Sequence, residues 1–300
     1  MDGLGPELGE LSEVLCDGRQ EELILGPVPT FKTDDGNFCF ANVRNGVIVL
    51  TFDAVGIVVM KVARENMRPI NDAYDEFCCA LRRLPEAIFG FSSLAKVDLD
   101  EAVGNLDSAV YQVLSCYHSL ADASRDTYGW MDQPGARTLI GIRNARHHNL
   151  GSRIRGLVYM AFRGQISSTH SYWTVAYQPE SQTSLPHYLP DIVEFLEHKE
   201  NRLSKKRASE ILDYLQVRET VEHFKSRGIE PSRLFFNLMP IISNGAKISI
   251  DAMGSDLEVL SFDGEVYLDH FPSIDYIDMA SGLYSCLPST LAGKPYGNPS

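Results

Sequence analysis

Val103, Leu106, Val110, Val113, Tyr117 and Leu120 recur at spacings of 3, 4, 3, 4 and 3. A period of 3.5 residues held over about five turns predicts a long helix that buries one stripe against other helices. Asp98 or Asp100 is placed to cap its start. Upstream, Ile70, Tyr74, Phe77, Leu81 and Leu84 draw a second stripe at spacings of 4, 3, 4 and 3. Pro69 reads as the opening of that helix, where a missing N–H costs nothing, and Pro85 as its end. Two such helices predict one antiparallel bundle.

The flanks have another texture. Phe38–Val43 and Val47–Phe52 are β-branched and aromatic runs separated by Arg44-Asn45-Gly46, a hairpin signal because a type I′ turn needs positive φ at both central residues. A short helix is expected near Pro6–Leu15 and another strand at Ile57–Met60. After the bundle's second helix, Asp132-Gln133-Pro134 restarts the chain into a helix that Asn149-Leu150-Gly151 ends. Ser152–Arg163 is open between helix and strand, and Tyr172–Tyr177 reads as a strand. Helices are expected at Pro190–His198, Ser204–Arg227 and Pro231–Ile242. From Ala246 the period becomes two, with Asp263-Gly264 as a second hairpin turn, and the last dozen residues read as a loose tail. The expected fold is α+β, a central antiparallel helical bundle with β-hairpins flanking it at both ends. The divisions fall at 1–66 (acidic segment with hairpin), 67–245 (bundle) and 246–300 (β-meander and tail).

With 300 residues, 44% of them apolar, the chain can bury a sizeable core. The N-terminus lacks the basic and apolar regions of a signal peptide, and no apolar run is long enough to span a bilayer, which predicts a cytoplasmic protein that does not enter a membrane. Six cysteines without C-x-x-C spacing predict neither a zinc ribbon nor a disulfide framework. Cys78-Cys79 reads as buried thiol on a helix.

Charge is distributed unevenly. Between Asp132 and Glu180 there is no carboxylate, yet Arg137, Arg143, Arg146, Arg153, Arg155, Arg163 and three histidines fall inside. The formal net charge is −13, so the residues outside this stretch carry −19. A basic island in an acidic chain is a candidate phosphate-binding surface, and any polyanion must be met there locally.

Within the island lies Arg143-Asn144-Ala145-Arg146-His147-His148. It resembles the R-N-x-x-x-H motif of the HEPN superfamily, helical-bundle proteins many of which are metal-independent endoribonucleases in toxin-antitoxin, CRISPR and other anti-phage systems. The resemblance is local to the motif helix and the bundle around it. It implies RNA as substrate, no cofactor and no metal, a homodimer in which two motif helices face each other, and an antitoxin or defence-system partner. The tyrosine that follows the histidine by two positions in AMPylated HEPN toxins is replaced here by Leu150.

The chemistry asks for these residue types. Cleavage of RNA without metal needs a base for the 2′-hydroxyl, an acid for the departing 5′-oxygen and a cation for the phosphorane. Histidine transfers protons near neutrality, and arginine offers a fixed fork of donors. His148 and Arg143 take the catalytic roles, Asn144 orients, and His147 is an alternative to His148. Arg137, Arg146, Arg153, Arg155 and Arg163 would bind the RNA backbone. Arg143 and His148 stand about 140° apart on a straight helix, which is why a second copy is expected. On the same wheel Arg143 and Arg146 fall beside Leu139 and Ile142, where an arginine needs a partner or an interface.

Plainer readings accompany each feature. The arginines could pair with the acidic remainder of the chain, leaving a non-catalytic module that holds RNA, a nucleotide or an acidic protein. Tyr159, Phe162, Tyr172, Trp173 and Tyr177 read first as core, Lys205-Lys206-Arg207 as a solvated face, and His118 as a solvated histidine opposite the apolar stripe.

Overall fold

The computed structural model describes residues 30–32, 38–44, 47–51, 61–147, 155–166, 171–177, 184–198, 203–280 and 286–289. Two expected elements, Pro6–Leu15 and Ile57–Met60, and the C-terminal tail lie outside them. The chain divides into two compact units, Met1–Pro69 and Ile70–Ser300.

The first unit contains strands β1 (Thr30–Lys32), β2 (Phe38–Arg44) and β3 (Val47–Thr51) in one antiparallel sheet of that order. Arg44 pairs with Val47, so β2 and β3 pair antiparallel on either side of Asn45-Gly46, which lie outside the described residues.

Helix α1 (Lys61–Leu94) runs further in both directions than its prolines suggest. Pro69 and Pro85 both lie inside it, although an interior proline removes a ladder hydrogen bond. The second unit nonetheless begins at Ile70, and Ile70, Tyr74, Phe77, Leu81 and Leu84 are all buried. Helix α2 (Leu99–Ser124) is capped by Asp98, whose carboxylate accepts from the Glu101 N–H at 3.0 Å. Its stripe is buried from Val103 to Leu120 except at Leu106, which is half-buried. Phe77 and Tyr117 join the two helices with ring centroids 5.3 Å apart.

Trp130 fixes the turn into the next helix. Its indole N–H donates to Ser124 Oγ at 3.1 Å and its ring lies 5.4 Å from Tyr117. Helix α3 (Pro134–His147) then returns antiparallel to α2, because its start lies at the end of α2 while Arg146 near its end reaches Asp107. Gly135, Ala136, Gly141 and Ala145 are buried and small, so three helices crowd against α3: α2, α6 (Lys205–Tyr214) and α8 (Leu238–Met253). The closest approach is at Gly245 of α8, where an added Cβ would overlap Leu139 Cδ1 and stand 3.3 Å from the Tyr117 hydroxyl. That hydroxyl donates to the Gly245 carbonyl at 3.1 Å.

A four-stranded mixed sheet is built into this helical unit: β4 (Tyr172–Val175), β5 (Pro186–Tyr188), β6 (Leu234–Asn237) and β7 (Cys286–Ser289), in the order β5-β6-β4-β7. Strand β6 runs parallel to β4 and antiparallel to β5, and every residue of it is buried. The helix expected over Pro231–Ile242 is therefore a 3-10 turn, a strand and the start of α8. A short run that is apolar on every side carries no period to separate strand from helix. Short helices α4 (Leu157–Phe162), α5 (Leu189–Glu197) and α7 (Val217–Lys225) complete this region, α6 and α7 being parted by Gln216 at φ 53°.

The C-terminal β-meander is not observed. Lys247–Ile250 lies inside α8, which is buried nearly all round, so alternating Ile and Ser reflect enclosure and not a strand. Asp263-Gly264 opens helix α9 (Phe262–Ser273), whose cap Ser261 accepts from the Gly264 N–H at 3.0 Å. Here glycine serves close approach, since a Cβ would meet Asp75 Oδ1 at 2.5 Å and Val259 at 2.8 Å. The protein is α+β and mostly helical, with the second sheet embedded among the helices and not flanking them.

Gly245→Ala is expected to lower stability by about 1–3 kcal/mol through overpacking. Urea unfolding of Gly245→Ala, Leu139→Ala and the double variant would show non-additivity, the double costing less than the two together; strict additivity would contradict a shared clash.

Candidate functional site

Helix α3 carries the motif, and no residue of it from Gly135 to Arg146 is fully exposed. The polar residues of the motif lie at its C-terminal end. His147 in the last turn is exposed, while Arg143, Asn144 and Arg146 are half-buried. His148 and Arg153 lie outside the described residues.

Three arginines of the island are matched by carboxylates from outside it. Arg137 is paired with Glu210 and, at 2.7 Å, with Asp132. Arg146 meets Asp107 at 2.6 Å, with its side chain 8% exposed. Arg155 grips Asp191 through Nε and Nη2 at 2.9 and 2.8 Å, and its own N–H adds a third bond to the same carboxylate. Asp191 is buried, so this pair is structural before it is anything else. Arg163 is exposed and lies over the Tyr159 ring at 5.7 Å.

Arg143 differs. Its Nη1 donates to Asn144 Oδ1 at 3.2 Å, its Nε is buried without a hydrogen-bond partner, and among the described residues no carboxylate pairs with it. A buried donor left unmet costs about 1–3 kcal/mol and asks for an explanation.

Facing it is a polar stripe of α2 that the apolar period conceals. Tyr111, Ser115, His118 and Asp122 repeat at spacings of 4, 3 and 4, each one position after a buried residue of that helix. The Tyr111 hydroxyl lies 3.5 Å from His147 Nδ1. His118 Nδ1 is 3.1 Å from Asp122 Oδ2, and its side chain is 22% exposed. It is thus half-buried and paired, not solvated as its place opposite the stripe suggested. Burial and then the Arg143 guanidinium lower the His118 pKa, against Asp122, which raises it; Arg125 and His147 lower it further. Ser115 Oγ, on the same stripe, is also buried without a partner among the described residues.

A cleft of about 340 Å³ adjoins this seam, lined by Asp107, Ser108, Tyr111, Arg146, His147, Arg155 and Tyr159. Two guanidiniums, an imidazole and two phenol rings against one carboxylate suit an anion carried on a flat group. An apolar cleft of about 160 Å³ shares Asp107 and Tyr159 with it and reaches Val103, Leu157 and His187. Of the other expected aromatics, Tyr172 and Tyr177 are buried, Trp173 lies 6.0 Å from Phe224, and Phe162 is 37% exposed. Lys205, Lys206 and Arg207 are exposed.

Burial holds His187 neutral, lowering its pKa to about 4, with the Arg146 cation adding to the effect. Its Nδ1 lies 3.1 Å from the Leu185 carbonyl. Cys78 is buried and its thiol pushed up to about 12 by desolvation, as inert as a core thiol is expected to be. Among the described residues no helix is long and apolar enough to cross a membrane, and no group of three His, Cys, Asp or Glu side chains is placed to hold a metal ion.

No family model matches the chain, and neither a curated protein nor a solved structure matches it.

The two kinds of arginine separate by stability. Asp191→Ala, which strands Arg155, is expected to cost about 3 kcal/mol, whereas Arg143→Met should fall within about 0.5 kcal/mol of wild type or above it in chemical denaturation. The buried neutral His187 links folding to pH. The unfolded ring takes up a proton near pH 6.5 and the folded one only near 4, so the unfolded chain binds more protons between them and stability falls as pH falls. About 2 kcal/mol should be lost from this group between pH 6.5 and 5, and His187→Phe should flatten that slope by up to one proton.

Proposed function

We propose that this protein is a HEPN-like, metal-independent endoribonuclease whose chemistry sits at the last turn of α3. The observation that carries the reading is Arg143, a half-buried guanidinium with a buried N–H unmet and no carboxylate partner among the described residues, next to the histidines of the motif. Arg143 takes the scissile phosphate, Asn144 holds its fork, and the His147–His148 pair transfers protons. RNA lies along the neighbouring cleft, where Tyr111 and Tyr159 offer faces for unpaired bases and Arg146 and Arg155 border the backbone. The superfamily resemblance, carried by the motif residues alone, also brings a role in defence or toxicity, a homodimer and a restraining partner protein into the proposal. Because α3 is enclosed by α2, α6 and α8, a second copy would be received at its last turn.

A second reading has an observation of its own. Arg137, Arg146 and Arg155 are matched by Asp132, Glu210, Asp107 and Asp191, which drains much of the island's charge and suits a non-catalytic module for RNA, a nucleotide or an acidic partner.

Structured and unstructured RNAs incubated with the protein in excess EDTA distinguish the two. Cleavage is expected, reduced about 10²–10³-fold in Arg143→Ala and about 10²–10⁴-fold in the operative histidine variant. Binding without cleavage selects the module. Cleavage kept by Arg143→Ala, His147→Ala and His148→Ala alike removes the site.

A further inference from the structure

Helices α2 and α3 are antiparallel, and every helical side chain leans toward its own N-terminus. In an antiparallel pair the two leans are opposed, so a side chain converges with a partner placed toward the N-terminal end of its own helix. Two contacts set the register: Asp107 with Arg146, and Tyr111 with His147. Counting back from Tyr111–His147 brings Ser115 and His118 of α2 level with Arg143 and Ile140, while counting back from Asp107–Arg146 brings them level with Thr138 and Gly135, so His118 stands one to two turns nearer the start of α3 than Arg143. The electrostatic influence of both Arg143 and His147 on the His118 ring agrees with this placement. Two donors of this seam, Ser115 Oγ and Arg143 Nε, are buried and unmet among the described residues.

From this juxtaposition we infer that His118, oriented by Asp122, is a second proton-transfer residue of the same site, supplied by α2 of the same chain. The inference rests on the nuclease reading and deepens it. Asp122 Oδ2 at His118 Nδ1 favours the tautomer with its proton on Nδ1, leaving Nε2 free as a base. The charged groups around the ring are Asp122 on α2, Arg125 at its C-cap, and Arg143 and His147 on α3. Burial first, and then the Arg143 guanidinium, lower its pKa and so favour the unprotonated form that a base requires.

The step balances within one chain. His118 Nε2 takes the 2′-hydroxyl proton as the 2′-oxygen bonds to phosphorus. Arg143 meets the charge on the phosphorane oxygens. The bond from phosphorus to the 5′-oxygen breaks, and that oxygen takes a proton from His147, one turn beyond Arg143 on the same face of α3. The products are a 2′,3′-cyclic phosphate and a 5′-hydroxyl. A single chain then holds the base, the cation and the acid, which removes the need for two motif helices to face each other.

The test is the pH–rate profile of full-length protein on a fluorescently labelled oligoribonucleotide in EDTA. His118→Ala should lower kcat about 10²–10³-fold with KM changed less than about threefold, and should remove the rising acidic limb of the profile. Asp122→Asn should lower kcat by a smaller factor and displace that limb. His118→Ala that keeps wild-type kcat and profile, while Arg143→Ala loses cleavage, overturns the inference and leaves the nuclease reading intact. Wild type that cleaves nothing overturns both. His118→Asn covers a folding failure of the alanine variant, with the same outcomes. Independently of turnover, inorganic phosphate should shift the His118 ring resonances in wild type and not in Arg143→Ala; ring resonances indifferent to phosphate count against a shared site.

Discussion

The approach of α8 to α3 at Gly245 governs the second unit. Two helix backbones come close enough there that Leu139 fills the space a side chain would occupy, and the Tyr117 hydroxyl reaches a main-chain carbonyl that a side chain would screen. Small residues at Gly135 and Gly141 repeat this condition against Ile248, Tyr214 and Ile211. A helix enclosed on three sides has its rotation about its own axis fixed by packing, so its last turn presents the same few polar groups in every molecule. The site inherits its geometry from apolar contacts several turns away.

Enclosure also explains the division among the arginines. A guanidinium that emerges between packed helices meets either a carboxylate or a loss of solvation. Arg137, Arg146 and Arg155 meet carboxylates on other elements and so fasten α3, α4 and α5 to their neighbours. Arg143 emerges where α2 offers a serine, a histidine and a tyrosine instead. The island is therefore two things at once, a set of ion pairs that tie elements together and, at Arg143, a half-buried cation with no carboxylate partner among the described residues.

Much of this was legible in the chain. The stripes of α1 and α2, the pairing of β2 with β3 and the start of α3 follow from period, turn chemistry and a proline at the first helical position. The errors over β6 and α8 have one origin. Where an element is buried on every side, as in β6 and α8, the contrast between apolar and polar faces disappears and the period with it. Asp263-Gly264 misled for a related reason, since its glycine answers to the crowding of Asp75 and Val259 and not to a turn. The polar stripe of Tyr111, Ser115, His118 and Asp122 was available from spacing alone, yet only the antiparallel return of α3 gives it something to face. The ion pairs of Arg146 and Arg155 depend on partners 39 and 36 residues away and carry no local signal.

Lys247 illustrates what such enclosure does to an ordinary reactive group. Its ammonium is held by the Asp251 carboxylate at 3.0 Å, the Phe271 carbonyl at 3.1 Å and the Tyr276 ring at 4.9 Å, with the side chain 8% exposed. Two of those three partners belong to the end of α9 and the segment after it. An amine reagent thus reaches this nitrogen when that corner opens away from α8, which makes one lysine a reporter of local opening there.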